Sequence, residues 1–354
     1  MNLRQQVGQL MIAGVEGEEL TPLERAWLKL VRPGGVILFR RNIEQAPQVT
    51  ALLRDVTEIA GAPMFRCVDL EGGLVDRLRN LIAPMPSPAA VFASGRRTSF
   101  AKHGRLIAQE AKALGFNAVF APVLDLALPA SASVMRSRSV SADPKDVTVY
   151  AAAFLDGLDT GGVSGCGKHF PGLGGGNLDS HEAMPLIERT WKELWGEDLA
   201  VFRALAPRLP MIMVAHAAYP RVKAAVPASI SPYWISTVLR KRVRFGGLVV
   251  SDDMEMGGIL TQASIEDAAV KAILAGTDLI EICRNPALVL RAYEALLSEA
   301  ERSAPFRHLV ETAAQRVVEH KNRRLEATMP RTASAAQIEK LRTRVTKFAE
   351  EVGA

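Results

Sequence analysis

The sequence predicts an α/β chain folded as a (β/α)8 TIM-type barrel, a single domain with extra C-terminal helices. Three observations carry that prediction: eight short apolar runs alternate with amphipathic stretches, polar residues recur at the C-terminal ends of the runs, and no Gly-rich phosphate turn follows the first run. The runs are Leu10–Ala13, Gly35–Phe39, Met64–Val68, Ala118–Ala121, Gly165–Lys168, Met211–Ala215, Leu248–Ser251 and Leu279–Cys283. Their alternation with longer amphipathic stretches is the pattern expected when parallel strands are joined by helices.

Helical stretches are expected between the runs at Pro22–Val31, Ala46–Ile59, Ser99–Leu114, Lys145–Asp159, Trp191–Leu205, Pro232–Lys241 and Ile265–Ala275. Eight such units in about 290 residues suit a barrel, whose usual length is about 250 with insertions. Beyond the eighth run, helices are expected at Ala287–Glu299 and His308–Glu326, then a polar segment from Thr328 to Ala335 and a charged helix at Ala336–Glu351. This reading divides the chain into a barrel domain, 1–327, and a C-terminal linker and helix, 328–354. A doubly wound open sheet is the alternative, but Gly14-Val15-Glu16-Gly17 lacks the G-x-G-x-x-G order such a sheet needs.

The polar residues fall where a barrel places its chemistry. Asp69 ends run three, Asp125 follows run four, Lys168 and His169 end run five, His216 ends run six, and Asp252 and Asp253 end run seven. Gly167-Lys168-His169-Phe170-Pro171-Gly172-Leu173-Gly174-Gly175-Gly176 is too rich in glycine for a helix and suits a loop over a ligand. It runs on into Asp179-Ser180-His181, where a carboxylate bonded to one imidazole nitrogen would fix the tautomer and make a general acid/base unit. An isolated D-x-H would read as a helix cap and a surface histidine; beside Lys-His-Phe-Pro-Gly it reads as chemistry. Val249-Val250-Ser251-Asp252-Asp253 is a buried strand delivering a carboxylate to the mouth, and we assign Asp252 to chemistry and Asp253 to support or capping.

Composition narrows the partners. A formal charge of +5 invites an anionic partner, but the basic clusters Arg40–Arg41, Arg240–Arg244 and Lys321–Arg324 carry no interleaved aromatics and no nucleic-acid motif. No nucleic acid and no membrane are expected. The start of the chain lacks the features of a secretion signal, so a cytoplasmic location is expected. Cys67, Cys166 and Cys283 are odd in number and set among apolar residues, as reduced core thiols are.

Taken together these segments resemble glycoside hydrolase family 3, in its single-domain β-N-acetylglucosaminidase (β-hexosaminidase) branch, over about Val7 to Leu288. The resemblance is carried by Gly34-Gly35-Val36-Ile37-Leu38-Phe39 with Arg41-Asn42-Ile43, by Val68-Asp69-Leu70-Glu71-Gly72-Gly73, and by Phe120-Ala121-Pro122-Val123-Leu124-Asp125. It continues through Arg138-Ser139-Val140-Ser141-Ala142-Asp143-Pro144, Lys168-His169-Phe170-Pro171-Gly172 with Asp179-Ser180-His181, Ala215-His216 and Ser251-Asp252-Asp253. It implies a retaining β-N-acetylhexosaminidase with Asp252 as nucleophile, His181 backed by Asp179 as acid/base, and Asp69, Arg77, Arg138, Lys168, His169 and His216 around the sugar. The implied substrates are β-N-acetylglucosaminides, including muropeptide-type sugars, with no cofactor and no metal. Leu173, Gly175 and Leu74 depart from the family pattern and bear on the aglycone contacts. Three other readings stand beside this one: a phosphorylase, a non-catalytic sugar-binding barrel, and a metal hydrolase using His169, Asp179, His181, His216 and Asp252. The last is disfavoured because run one ends without an H-x-H pair.

Overall fold

In a computed structural model, which describes every residue except 62, 177, 179–182, 224 and 326–327, the eight apolar runs are the eight strands of a closed parallel barrel. They are β1 (Met11–Gly14), β2 (Gly35–Leu38), β3 (Phe65–Val68), β6 (Ala118–Val119), β7 (Ser164–Phe170), β8 (Met211–Val214), β9 (Leu248–Asp253) and β10 (Leu279–Ile282). The intervening β4 (Leu70–Gly72) and β5 (Val75–Asp76) form a separate antiparallel hairpin at the mouth. The barrel closes where β1 pairs with β10, Met11 opposite Ile280.

Strand alternation fills the barrel. Ile12, Ile37, Phe65, Cys67, Phe120, Cys166, Met213, Val250 and Leu279 pack together inside, while the opposite parity packs against the surrounding helices. All three cysteines are free and buried, as expected.

The helices Pro22–Val31 and Ile265–Ala275 begin and end where the periodicity places them. The first has its start written in sequence: Thr21 Oγ1 accepts from the Glu24 N–H at 3.1 Å, and Glu24 returns a bond to the Thr21 N–H at 2.8 Å. Two expectations are corrected. Trp191–Leu205 is two helices, Trp191–Gly196 and Asp198–Leu205, because Gly196 weakens the turn and Arg189 draws Glu197 and Asp198 toward itself. The Pro232–Lys241 stretch is wound as a wider π-helix, Tyr233–Arg242. A helix missed in sequence, Leu3–Gln9, is capped by Asn2.

The last helix, Ala335–Val352, lies along the barrel wall. Arg342 donates to the carbonyls of Ile82 and Leu81 at 2.8 and 3.2 Å, and Phe348 packs on His103. Among the described residues no helix is long and apolar enough to cross a membrane.

Candidate active site

The cavity at the C-terminal ends of the strands is lined by Asp69, Glu71, Arg77, Arg138, Lys168, His169, Asp252 and Asp253, with Phe39, Leu173, Met256, Glu281 and Cys283. Two pairs of consecutive strand residues line it, Lys168 with His169 and Asp252 with Asp253. A regular strand would turn one of each pair away.

Register explains how both reach the mouth. Between Gly167↔Ile212 and Phe170↔Val214, β7 carries one residue more than β8. Between Leu279↔Val250 and Glu281↔Asp253, β9 carries one residue more than β10. Each is a β-bulge, which re-aims side chains at the end of a strand. The Lys168–His169 and Phe170–Pro171 peptide bonds at the first bulge are cis.

The cations are held by carboxylates. Lys168 Nζ lies 2.9 Å from Asp69 Oδ1 and 2.7 Å from Glu71 Oε1, and its side chain is only 4% exposed, so its charge needs both partners. Arg138 grips Glu71 through two parallel bonds, Nε to Oε2 at 2.8 Å and Nη2 to Oε1 at 2.9 Å, and Arg77 Nη2 stands 3.5 Å from Asp69 Oδ2. Burial alone would raise both carboxyls. Arg138 and Lys168 override it and hold Glu71 at about 2, and Lys168 and Arg77 hold Asp69 well below the usual carboxylate range. Lys168 and Arg138 are raised in turn, their burial outweighed by Asp69 and Glu71 for the lysine and by Glu71 for the arginine. The cluster is ionised throughout the neutral range and offers fixed donors and acceptors to a polyhydroxy ligand.

His169 is oriented from behind. Its Nδ1 lies 2.6 Å from Asp125 Oδ2, and the other oxygen of Asp125 accepts the Leu173 N–H at 2.7 Å. Asp125 therefore orients the ring through Nδ1 and holds the start of the following loop.

The two aspartates of β9 differ in their surroundings. Asp253 Oδ1 accepts the N–H groups of Glu255 at 3.0 Å and Cys283 at 3.2 Å, and burial pushes its carboxyl up to about 7, the Glu255 N–H opposing. Asp252 Oδ1 accepts the Asp253 N–H at 3.0 Å, and among the described residues no cation pairs with it. Both line the cavity, but Asp253 also braces two backbone N–H groups beyond its own neighbour, whereas Asp252 accepts only from the adjacent N–H among the described residues.

His216 is fully buried, Nδ1 bonding Ser229 Oγ at 2.6 Å and Nε2 meeting the Asp253 carbonyl at 3.0 Å. β8 is paired in register beside β9, which sets a histidine just past its end next to the Asp253 backbone.

Asp179 and His181 lie outside the described residues. The flanks of their loop are tied down: Tyr219 Oη donates to the Gly172 carbonyl at 2.8 Å, and the Ile187 N–H donates to the Ala218 carbonyl at 2.8 Å. A Cβ on Gly175 would come within 2.8 Å of Arg189 Cδ and 3.0 Å of Ile187 Cγ2, so a side chain there requires Arg189 and Ile187 to shift. Leu173 lines the cavity, and Leu74 stands exposed at the hairpin turn.

Glu71 was not singled out as a site residue in sequence, and Asp125 was noted at the end of run four without a role, although both stand in segments that carry the resemblance. Phe39 was missed, its ring flanked by Arg41 and Arg77 at 5.0 and 5.6 Å from the ring centroid to each guanidinium carbon. Glu281 was missed too, its signal being a lone charge in an otherwise apolar strand.

With the geometry in place, comparison with known proteins is informative. The family model described as glycosyl hydrolase family 3 N-terminal domain matches residues 2–320. A beta-hexosaminidase of Idiomarina loihiensis is 34% identical over 299 residues, spanning 83% of this chain and 89% of that protein. The chain also superposes on a glycoside hydrolase family 3 β-N-acetylglucosaminidase from Paenibacillus sp. strain FPU-7, with TM-score 0.89 and 30% identity over 98% of this chain and 69% of that one. NagZ from Neisseria gonorrhoeae, solved in complex with N-trifluoroacetyl-D-glucosamine, gives TM-score 0.74 and 30% identity over 88% of this chain and 98% of that one.

Proposed function

The chain belongs to glycosyl hydrolase family 3, and from that premise we propose that it is a retaining β-N-acetylhexosaminidase removing terminal β-linked N-acetylglucosamine through a covalent glycosyl-Asp252 intermediate. The observation that carries this reading is the contrast within one cavity: Asp69 and Glu71 are bound by cations and Asp253 is spent on backbone N–H groups, while Asp252 has no counter-ion among the described residues. A nucleophile needs that freedom.

In the first step an oxygen of Asp252 attacks the anomeric carbon and the glycosidic C–O bond breaks as the His181 imidazolium gives its proton to the leaving oxygen. In the second, neutral His181 takes a proton from water, the water oxygen bonds to the anomeric carbon, and the Asp252 carboxylate is released. Asp179 is assigned to hold the His181 ring. Lys168, Arg138, Arg77, Asp69 and His169 are assigned to the sugar's hydroxyl and acetamido groups, and His216 to supporting the backbone beside the nucleophile. No metal or cofactor enters these steps.

Residues 1–327 are read as the barrel domain and 328–354 as an extension packed on it. The substrate class proposed is the β-N-acetylglucosaminide, with cytoplasmic recycling of peptidoglycan fragments as its setting. The test is turnover of p-nitrophenyl β-N-acetylglucosaminide with the first-formed anomer read by NMR. The β-anomer of free N-acetylglucosamine is expected. A folded protein that binds the sugar without turnover would mean a sugar-binding barrel, and a dominant sugar 1-phosphate in phosphate buffer a phosphorylase. His181→Ala should slow a substrate with an alkyl leaving group by about 10²–10⁴-fold while sparing the first step with p-nitrophenolate, which leaves without a proton; equal losses on both would remove the acid/base assignment.

A further inference from the structure

Glu281 sits in the barrel interior on β10, on the same parity as Leu279 and Cys283, in register with Asp253 across the bulge of β9. The residue is 3% exposed and contributes to the lining of the cavity that holds Asp252. Its Oε1 accepts the Cys283 thiol at 2.9 Å. Its Oε2 is buried and has no hydrogen-bond partner among the described residues. A buried polar oxygen left unpaired is costly, and native proteins seldom keep one unless something completes it.

We propose that Glu281 is a substrate-contacting, specificity-determining residue, its Oε2 hydrogen-bonding a hydroxyl group of the sugar seated over Asp252. The inference rests on the hexosaminidase reading for the placement of that sugar. The surroundings decide the chemistry of the partner. Burial pushes the Glu281 carboxyl well above the usual carboxylate range, and the nearby carboxylates Asp253 and Asp69 push it further, which favours its protonated form, a group that both donates and accepts. Asp69, Asp252 and Asp253 share the cavity and disfavour an anionic partner there. A neutral group that both donates and accepts, as a hydroxyl does, matches this acid. An amide carbonyl or an ether oxygen would use only half of it.

The test pairs Glu281→Leu with ligands lacking one hydroxyl each. Binding of N-acetylglucosamine and its 3-, 4- and 6-deoxy forms is measured by calorimetry, and hydrolysis of the p-nitrophenyl glycoside is followed in parallel. In the wild type, one of the three deoxy sugars should bind about tenfold more weakly, the upper range for one neutral hydrogen bond. In Glu281→Leu the parent sugar should bind about tenfold more weakly and that same deoxy sugar no worse than the parent, a non-additive pair. Glu281→Gln, which keeps a donor and an acceptor, should restore binding to within about threefold of the wild type. Glu281→Met, flexible and of similar length, replaces the leucine variant should that fail to fold. Unchanged affinity in the apolar variant, additive losses for all three deoxy sugars, or a glutamine variant as weak as the apolar one would overturn the proposal. A wild type that binds the sugars without hydrolysing the glycoside would sink the hydrolase reading alone, since the binding series still judges Glu281; one that binds none of them would sink both.

Discussion

The two ends of the barrel treat buried carboxylates in opposite ways. At the N-terminal end, Asp278, just ahead of β10, is fully buried: Arg316 Nε donates to Oδ1 at 2.7 Å, and Arg240 and the Val249 N–H both donate to Oδ2, the latter at 2.8 Å. Arg240 also ties down the carbonyls of Phe245 and Gly247. Every bond there joins one part of the scaffold to another. At the C-terminal end the strands bulge, carboxylates and cations gather around open space, and Asp252 is left without a counter-ion among the described residues. The lesson concerns saturation: a saturated carboxylate stabilises, whereas one held in place but unsaturated can react.

The sharpest way to break this comparison is to truncate one aspartate from each end. Asp252→Ala should lower kcat by several orders of magnitude with little change in Tm. Asp278→Ala should destabilise by about 3 kcal/mol, since it removes a fully buried carboxylate on which Arg240, Arg316 and the Val249 N–H converge, while the specific activity of the folded fraction stays near that of the wild type. Thermal melts and kinetics on the same preparations decide it; a large kcat loss in Asp278→Ala would show that the ends are not separable in this way.

A smaller effect is expected within the active end. Asp253→Asn should cost about 10²-fold in activity or less, because it braces rather than attacks. Its folded-state pKa, about 7, lies above the ordinary aspartate value. A raised acid favours folding most while protonated, so its contribution is full below the unfolded value and is lost as pH rises toward about 7. Urea melts from pH 4 to 8 should show a decline in wild-type stability across that window that is shallower in Asp253→Asn, Asp198 raised likewise to about 7 keeping part of it in both proteins. Parallel curves for the two proteins would contradict the assignment.

The smallest effect belongs to the cation-bound cluster and has the opposite sign. Glu71 is depressed to about 2, so its contribution is full above the ordinary glutamate value and is lost as pH falls toward about 2. Glu71→Gln should melt a few degrees below the wild type at neutral pH, and the gap should close between about pH 4 and pH 2. A gap independent of pH would mean that Glu71 acts through shape, not charge.

Much of the scaffold was legible because buried parallel strands leave a plain signal. Each of the eight runs met its strand, and Pro22–Val31 carried its own cap and its own proline. The locations of Asp69, Lys168, His169 and Asp252 followed from strand ends. The bulges were not legible, because an extra residue shows itself only against the register of a partner strand. The hydrogen bonds of His216 were illegible for a related reason: the end of a strand tells that a side chain is near the mouth, not which neighbouring groups it meets. Glu281 was passed over because an apolar run with one charge still reads as a strand, and only the closed barrel turns that parity inward.

The seam between β1 and β10 also fixes when the active end can exist during synthesis. Residue 11 waits for residue 280, and the Cys283 N–H that braces Asp253 is made later still. A ribosome releasing the chain from its N-terminus therefore exposes Asp69, Lys168 and Asp252 well before the ring that aims them is complete. The nascent chain carries the parts of the site without its geometry, and a message broken anywhere upstream of the last strand yields an unclosed barrel, a substrate for chaperones and proteases, not a half-active enzyme.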